Sequence, residues 1–194
     1  MRRFLRAYEH NVDVAFERLM KMLRWRVSKS YGLDVQICKI NGQSASIPRQ
    51  LETGKVTILS KRDLSGRPVI ITRAKLHDPS FQTPDELTRL SAHTLFTAEH
   101  MLTEPPVLAE EIQNFLIVFD LQGLHLSNID YTACKRIIYL LSYFFPERMG
   151  HCLLVGAPMF FTAVWHVIKP WLDVKTQAKI HFVRVAQLQE YVAK

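Results

Sequence analysis

One stretch of the chain, residues 145–183, constrains the fold more than any other. It holds an apolar segment of about the length of a membrane-spanning helix, but Gly156, Pro158 and Pro170 interrupt that segment. The hydrophobic pattern also changes from that of a strand to that of a helix within the segment, which a membrane span does not do. We therefore predict no transmembrane helix here, and expect a strand, a helix and a second strand instead.

The interrupted stretch predicts a strand at 152–155, a wide helix at 159–169 and a second strand at 180–185. A helix that is apolar almost all round needs an apolar partner on more than one side. We expect it to cover a large apolar space, and simple core packing is the alternative. The apolar side chains of this segment are Met159, Phe160, Phe161, Val164, Trp165, Ile168, Trp171 and Leu172.

Strands and helices alternate along most of the remaining chain, which predicts an α/β fold with a mainly parallel sheet and right-handed crossovers. Further strands are predicted at 55–60, 68–73 and 115–119, with a turn at 63–66 between the first two. Further helices are predicted from Pro84 to about Thr103, from Asn128 or Asp130 to about Phe145, and at 187–192. The polar stretch from 29 to about 54 is predicted to be irregular.

An amphipathic helix is predicted near the N-terminus, from a cap at Asn11 or Asp13 to about Val27. Its apolar residues share one face at helical spacing, and they are Val12, Ala15, Phe16, Leu19, Met22 and Leu23. The basic residues Arg18, Lys21 and Arg24 are expected to face outward.

Composition and charge narrow the class of protein. Hydrophobic residues make up 48% of the 194 residues, so a core can form and disorder is not expected. The net charge of +7 suits nucleic acid, an anionic membrane or an acidic ligand, and it also suits a solvated surface with no partner. No nucleic-acid-binding motif accompanies the charge, so we predict no nucleic-acid partner. Three separated cysteines without a CxxC pair indicate reduced, intracellular usage, and no secretory signal is visible.

No motif in the chain predicts an enzyme. The pattern Asp120-x-x-Gly123 lacks the phosphate-binding loop that a GTPase needs. His151–Cys152 lacks the arginine of a cysteine-phosphatase loop, and a thiol in an apolar strand is expected to be inert. The histidines show no paired ligand spacing, so we predict neither a metal site nor a catalytic site.

Several segments together resemble the CRAL-TRIO lipid-binding family. Residues 145–183, FPERMGHCLLVGAPMFFTAVWHVIKPWLDVKTQAKIHFV, are similar to its run YPERxGxxxxxNAPxxFxxxxxxxKPFLdpxTxxKIxxx. Residues 3–26, RFLRAYEHNVDVAFERLMKMLRWR, are similar to its lead-in RFLRARKFDVxxAxxmlxxxxxWR. The family's DxxGRPVxx hairpin and its xxDlxGxsxsn strand and turn are matched within 54–73 and 118–128.

This resemblance implies a fold and a function. It implies a parallel sheet flanked by helices that enclose a cavity for one hydrophobic lipid, with a gating helix from about Pro158 to Trp171 over the mouth. No other cofactor and no catalysis are expected. Residues implied for the cavity and gate are Phe115, Ile117, Phe119, Met159, Phe160, Phe161, Val164, Trp165, Ile168 and Trp171.

The resemblance also implies a headgroup site. In the family branch that binds phosphatidylinositol, the matching positions here are Glu147, Thr176 and Lys179. Lysine supplies charge to a phosphate, threonine a hydroxyl donor and glutamate an acceptor for sugar hydroxyls. A purely structural ion pair between Glu147 and Lys179 is the alternative.

Two departures from the family pattern bear on the ligand. Tyr8 and Glu9 replace a basic pair that helps to hold the phosphate in the family. Phe115 and Ile117 replace two hydroxyl residues of the branch that also binds phosphatidylcholine. We therefore favour phosphatidylinositol or a wholly apolar ligand over phosphatidylcholine, with retinoid-like and tocopherol-like ligands left open.

The resemblance also implies boundaries. Residues 1–28 correspond to the last part of a helical lead-in and residues 50–194 to the lipid-binding domain, without the LPxxfGG closure. We expect a cytoplasmic protein that binds and exchanges one lipid at membranes, with peripheral attachment left open. The alternative is a lipid-sensing or interaction module without transfer activity, attached through Arg2, Arg3 and Arg6. The sequence leaves the oligomeric state open.

Overall fold

The computed structural model describes residues 1–27, 46–103 and 112–192. Cys38 lies outside the described residues, and so does the part up to residue 45 of the stretch from 29 to about 54 that was predicted to be irregular. Seven helices are found in the described ranges: α1 (Arg2–Ala7), α2 (Val12–Val27), α3 (Ser46–Glu52), α4 (Pro84–Met101), α5 (Tyr131–Tyr143), α6 (Phe161–Ile168) and α7 (Val174–Ala178). Short 3₁₀ turns are found at Ala74–Leu76, Leu126–Asn128, Lys169–Trp171 and Val185–Glu190.

Five strands form one sheet in the order in which they occur in the chain. They are β1 (Val56–Ile58), β2 (Val69–Arg73), β3 (Phe115–Asp120), β4 (Met149–Val155) and β5 (Ile180–Val183). β1 pairs antiparallel with β2, and the other neighbours pair parallel. This confirms the predicted α/β class with a mainly parallel sheet.

Helices connect the parallel strands and lie on one face of the sheet. α4 joins β2 to β3, α5 joins β3 to β4, and α6 with α7 joins β4 to β5. Each crossover steps to the next strand in the same direction, so right-handed connections place all four helices on one side. We call this side the helix face of the sheet.

The opposite face of the sheet is closed by apolar packing, and we call it the packed face. Its core side chains are Val69, Leu116, Val118, Leu153, Val155 and Val183. Leu188, Tyr191 and Val192, in and just after the C-terminal 3₁₀ turn, pack against them. Along β3, Leu116 and Val118 therefore belong to the packed face, while Ile117 belongs to the helix face, as strand alternation requires.

Helix starts follow the local sequence. Asn11 Oδ1 accepts a hydrogen bond from Val14 N at 3.1 Å, so α2 begins where the sequence predicts. Asp130 Oδ1 accepts from Ala133 N at 2.8 Å at the start of α5. Thr83 and Glu86 form a reciprocal capping box at the start of α4.

Two helices that lie after the N-terminal lead-in were not predicted. α3 occupies the end of the stretch that the sequence indicated to be irregular, and Ile47 and Gln50 are its buried residues. α7 begins at a cap where Asp173 Oδ1 accepts from Thr176 N at 2.8 Å. A capping aspartate shortly after Pro170 was a readable signal for α7, whereas a single buried apolar residue in α3 gives almost none.

The N-terminal helices α1 and α2 pack on the helix-face core. Phe4, Ala15, Met22 and Trp25 are buried in one cluster. Trp25 stacks on Phe144 with ring centroids 4.1 Å apart.

The predicted apolar face of α2 is only partly correct. Ala15 and Met22 are buried, but Val12, Phe16 and Leu23 are exposed. Arg18 was expected to face outward and instead lines an internal cavity, as described below.

A four-residue ion cluster joins the N-terminal helices to the rest of the fold. Glu99 on α4 accepts from Arg3 Nη1 and Arg26 Nη2, both at 2.7 Å, and from Arg148 Nε at 2.9 Å. All four side chains are mostly buried. Burial alone raises the pKa of Glu99, but the three guanidinium groups outweigh it and hold that pKa below its usual value.

Candidate functional site

A cavity of about 580 Å³ lies between the helix face of the sheet and helices α4, α5 and α6. Its walls are mostly apolar, for example Ile70 of β2, Leu95 of α4 and Ile137 of α5. This volume lies within the range of about 300–1,000 Å³ that is usual for small-molecule sites. The predicted apolar space is therefore a hollow rather than a filled core.

Six of the ten residues predicted for the cavity and gate line this hollow. They are Ile117, Phe119, Phe161, Val164, Trp165 and Ile168. The last four lie on the inner side of α6, at the helical spacing that the sequence showed. The outer side of α6 is exposed, with Val167 at 45%, so the helix is less uniformly buried than expected.

The other four predicted residues lie outside the lining. Phe115 is fully buried in the solid core near Trp25, because β3 starts below the hollow. Met159 is 95% exposed, because it precedes α6 in the turn after Pro158.

Phe160 and Trp171 also lie outside the lining. Phe160 packs against the cluster at the base of α6. The ring of Trp171 meets that of Tyr131 at 5.9 Å and lies under Lys135 Nζ at 4.8 Å. Trp171 thus ties the end of the gate segment to α5 rather than to a ligand.

The three predicted headgroup residues come together at one end of the cavity. Lys179 Nζ lies 3.3 Å from Glu147 Oε2, and both side chains are about one-third exposed. Glu147, Thr176 and Lys179 all line the cavity. An ion pair between Glu147 and Lys179 is therefore present. Exposed pairs of this kind contribute only about 0–1 kcal/mol, so a ligand can displace it.

Thr176 has a structural bond in addition to its place in the lining. Its hydroxyl donates to Asp173 Oδ2 at 2.6 Å, while its N–H donates to Oδ1. Burial raises the pKa of Asp173, but these hydrogen bonds lower it further, so that pKa lies below its usual value and the capping carboxylate stays ionised. The oxygen of Thr176 remains an acceptor, and the donor role that we expected requires the hydroxyl to turn away from Asp173.

Sequence reasoning missed a second ion pair at the same end. Lys175 Nζ donates to Glu9 Oε1 at 3.0 Å, which links α7 to the turn between α1 and α2. This hydrogen bond raises the pKa of Lys175 and lowers that of Glu9. Glu9 stands where the family pattern has a basic residue, and here its charge is paired with a lysine. The two residues are 166 positions apart, so no local pattern could have shown it.

Lys55 is a second missed residue, and it lines the cavity near β1. It is only 4% exposed, and its Nζ contacts Gln50 Oε1 at 3.4 Å and also Gln82 Oε1. Burial lowers the pKa of Lys55 to about 8. A lysine at the start of a strand gives no sequence signal for such burial.

The two described cysteines line the cavity and are poor nucleophiles. Burial raises the pKa of Cys152 to about 12 and that of Cys134 to about 11. Because the thiolate is the reactive form, neither thiol suits catalysis near neutral pH.

The described ranges hold no group of three or more histidine, cysteine or acidic side chains placed to bind a metal ion. Within the same ranges, no helix is both long enough and apolar enough to cross a bilayer.

Comparison with known proteins agrees with this architecture. The family model described as the CRAL/TRIO domain matches residues 51–194. A CRAL-TRIO domain-containing protein of Schizosaccharomyces pombe is 34% identical over 98% of this chain, and the phosphatidylinositol transfer protein CSR1 of Eremothecium gossypii is 32% identical over 98%. The chain spans only 42% and 43% of the length of these two relatives.

A solved structure supports the fold independently of sequence. The crystal structure of Sfh5 superposes with a TM-score of 0.72 at 17% identity, covering 97% of this chain and 65% of that one. At this identity the likeness concerns the fold alone. Taken with the match over residues 51–194, the sheet, the hollow and the helix over it show that this chain belongs to the CRAL/TRIO domain family.

Proposed function

We propose that the protein binds a single hydrophobic lipid in the cavity under α6, with phosphatidylinositol favoured, and that it exchanges or presents this lipid at membranes. The observation that carries the proposal is the apolar hollow of about 580 Å³, with the pair of Lys179 and Glu147 in its lining and the pair of Lys175 and Glu9 beside it. The apolar walls suit the hydrocarbon tail of an amphiphile, and the ion pairs suit its polar head.

The energetics of transfer support a lipid as the ligand. Removing hydrocarbon from water is worth about 0.8 kcal/mol per CH₂, so a long acyl chain contributes on the order of 10 kcal/mol. A protein competes with a bilayer for such a chain only if it offers a dry, apolar volume. The lining of Leu95, Ile117 and Ile137 meets that requirement.

Two features favour phosphatidylinositol over phosphatidylcholine. Lys179 and Thr176 lie at the polar end with Glu147, in positions suited to a phosphate and to sugar hydroxyls. Ile117 brings an apolar side chain to the cavity where a hydroxyl would suit phosphocholine. The relative named phosphatidylinositol transfer protein points in the same direction.

Exchange requires the cavity to open, and we propose α6 with the following 3₁₀ turn as the gate. Its inner residues, such as Val164 and Ile168, face the cavity, while its outer side is exposed. When the gate swings at a bilayer surface, acyl chains replace the cavity as the apolar partner of these residues. We propose a cytoplasmic protein that contacts membranes transiently and has no catalytic role.

Lipid extraction tests the proposal directly. Purified protein is expected to carry a co-purified lipid in native mass spectrometry, and to move labelled phosphatidylinositol between vesicles. Protein without lipid that also moves none would contradict the proposal. Bound lipid and vesicle recruitment without transfer would instead favour the lipid-sensing module.

The headgroup assignment is tested by Lys179→Ala. We expect it to reduce phosphatidylinositol loading more than the loading of diacylglycerol, because only the former has a phosphate. Lys21→Ala is the matched control, since Lys21 is exposed on α2 and lies outside both the cavity lining and the proposed gate. Equal loss of both lipids in Lys179→Ala would count against a headgroup role.

A further inference from the structure

Arg18 is an unusual member of the cavity lining, because its charge has no partner there. It lines the cavity from α2, and its Nε is buried without a hydrogen-bond partner. Among the described residues, no carboxylate lies within ion-pair distance of its guanidinium group. A buried donor on a charged group is costly when it is left unpaired, which suggests that a ligand completes this site.

Two tyrosines hold the guanidinium group in place. Its central carbon lies 5.3 Å from the ring centroid of Tyr143 and 5.9 Å from that of Tyr8. Both tyrosines also line the cavity. Aromatic faces fix an arginine and leave its N–H groups free to donate in the guanidinium plane.

The contacts of Arg18 place it at the same end of the cavity as the lysine pairs. Tyr8 is next to Glu9, which bonds to Lys175. One helical turn after Lys175, Lys179 pairs with Glu147. Glu147 lies four residues beyond Tyr143 in the chain, and Tyr143 lies against Arg18. These contacts and the short chain segments between them connect Arg18 with the two lysine pairs, and we call this group of residues the polar ring.

Within the polar ring, the charges do not carry equal weight for a ligand. Lys175 and Lys179 are each paired with a carboxylate, Glu9 and Glu147 respectively. Arg18 has no such neutralising partner in the described part of the chain, so it contributes the uncompensated positive charge. Its planar fork of donors matches the oxygens of a phosphate group.

We propose that Arg18 binds the phosphate of the lipid headgroup and thereby selects phospholipids over neutral lipids. This inference rests on the proposed function and names the group that completes its polar end. Arg18 stands where the family lead-in pattern has an apolar residue, while Tyr8 and Glu9 stand where that pattern has its basic pair. Compared with that pattern, this chain therefore carries the positive charge on the second turn of α2 and not in the turn after α1.

The experiment compares Arg18→Met with Arg24→Met, since Arg24 lies on the same helix but is exposed and outside the cavity lining. Each delipidated protein is loaded from vesicles containing phosphatidylinositol or, separately, diacylglycerol. We expect Arg18→Met to lower phosphatidylinositol loading about tenfold or more, the size of a lost charge-assisted hydrogen bond, and to leave diacylglycerol loading unchanged. Arg24→Met is expected to change neither.

A stability measurement separates binding from packing. Without lipid, Arg18→Met is expected to be at least as stable as the wild type, because the variant removes a buried unpaired group. Arg18→Lys, which keeps the charge, should restore part of the phosphatidylinositol loading. A parallel loss of both lipids, or unchanged phosphatidylinositol loading in Arg18→Met, would overturn the proposal.

Two further outcomes separate the sources of failure. A wild-type protein that loads neither lipid would contradict the proposed function itself. A second outcome is that the wild type loads both lipids equally but binds inorganic phosphate through Arg18 in the absence of lipid. That result would mean that Arg18 binds a soluble anion, and it would overturn the headgroup role.

Discussion

The two faces of the sheet are built from similar residues but filled in different ways. On the packed face, Leu116 and Leu153 are fully buried against other side chains. On the helix face, Ile117 and Leu154 are almost as well shielded from water, yet they border a hollow of about 580 Å³. The same alternation of apolar residues thus lines a solid core on one side of the sheet and a cavity on the other.

The difference explains how the two sides are held together. The packed face gains dispersion contacts across a filled interface. The helix face cannot gain them across the cavity, so contacts at its margins matter more. Those contacts are the ion cluster around Glu99 and the pairs of Lys175 with Glu9 and Lys179 with Glu147. We therefore expect the two faces to respond differently to truncation, to acid and to overpacking.

The largest expected effect comes from truncating adjacent leucines of β4. Leu153→Ala should lower the free energy of unfolding by about 2–5 kcal/mol, because it opens a new void on the packed face. Leu154→Ala should cost about 2 kcal/mol or less, because its side chain already borders the cavity. Denaturant unfolding of the delipidated proteins measures both. Equal losses would mean that the helix face is filled as tightly as the packed face.

The ion cluster should provide the next largest effect. Glu99→Gln is expected to lower the free energy of unfolding by about 3 kcal/mol, because it leaves three mostly buried guanidinium groups unpaired. The folded-state pKa of Glu99 is depressed, so its contribution is complete above the usual pKa of 4.5 and is lost as the pH falls through the folded value.

The pH dependence of stability checks this second prediction. Wild-type stability should decline more steeply below about pH 4.5 than that of Glu99→Gln, which lacks the titrating carboxylate. Glu52→Gln is the control, since Glu52 is exposed on α3. Identical acid profiles for the wild type and Glu99→Gln would show that the cluster does not hold the N-terminal helices.

The smallest expected change in stability comes from enlarging two adjacent residues of β3, Ile117 and Val118. Ile117→Trp should fill part of the cavity, so it should impair lipid loading with little loss of stability. Val118→Trp should overpack the packed face and cost about 1–3 kcal/mol without blocking lipid access. Loading from vesicles and thermal unfolding of both variants provide the comparison. A reversed pattern would place the cavity on the other face.

Much of the fold could be predicted from local pattern. The apolar run at 115–119 predicted β3, and Asn11 and Asp130 predicted the starts of α2 and α5. α3 escaped prediction because too few of its residues are buried to mark a face. The prediction that Arg18 faces outward was wrong. Helical spacing shows which residues share one side of a helix, but it does not show that a cavity lies next to a basic side chain.

Only part of the candidate site could be predicted from local sequence pattern. The inner residues of α6, such as Phe161 and Val164, follow a helical period that the sequence displays. Met159 and Trp171 belong to the same apolar stretch but lie outside the lining, because the turns at both ends of α6 point them elsewhere. The ion pair between Glu9 and Lys175 joins distant parts of the chain, so it required the tertiary structure.

The sequence by itself determined which segments become strands or helices and which of their side chains avoid water, because hydrophobic period and capping residues act locally. It did not determine whether the shielded space would be filled. Only the tertiary structure decided that the helix face is hollow and that Arg18 lines the same cavity as Lys175 and Lys179. The physical reason is that the tendency to be buried is a property of each side chain, whereas the presence of a cavity depends on the distance between whole helices and strands.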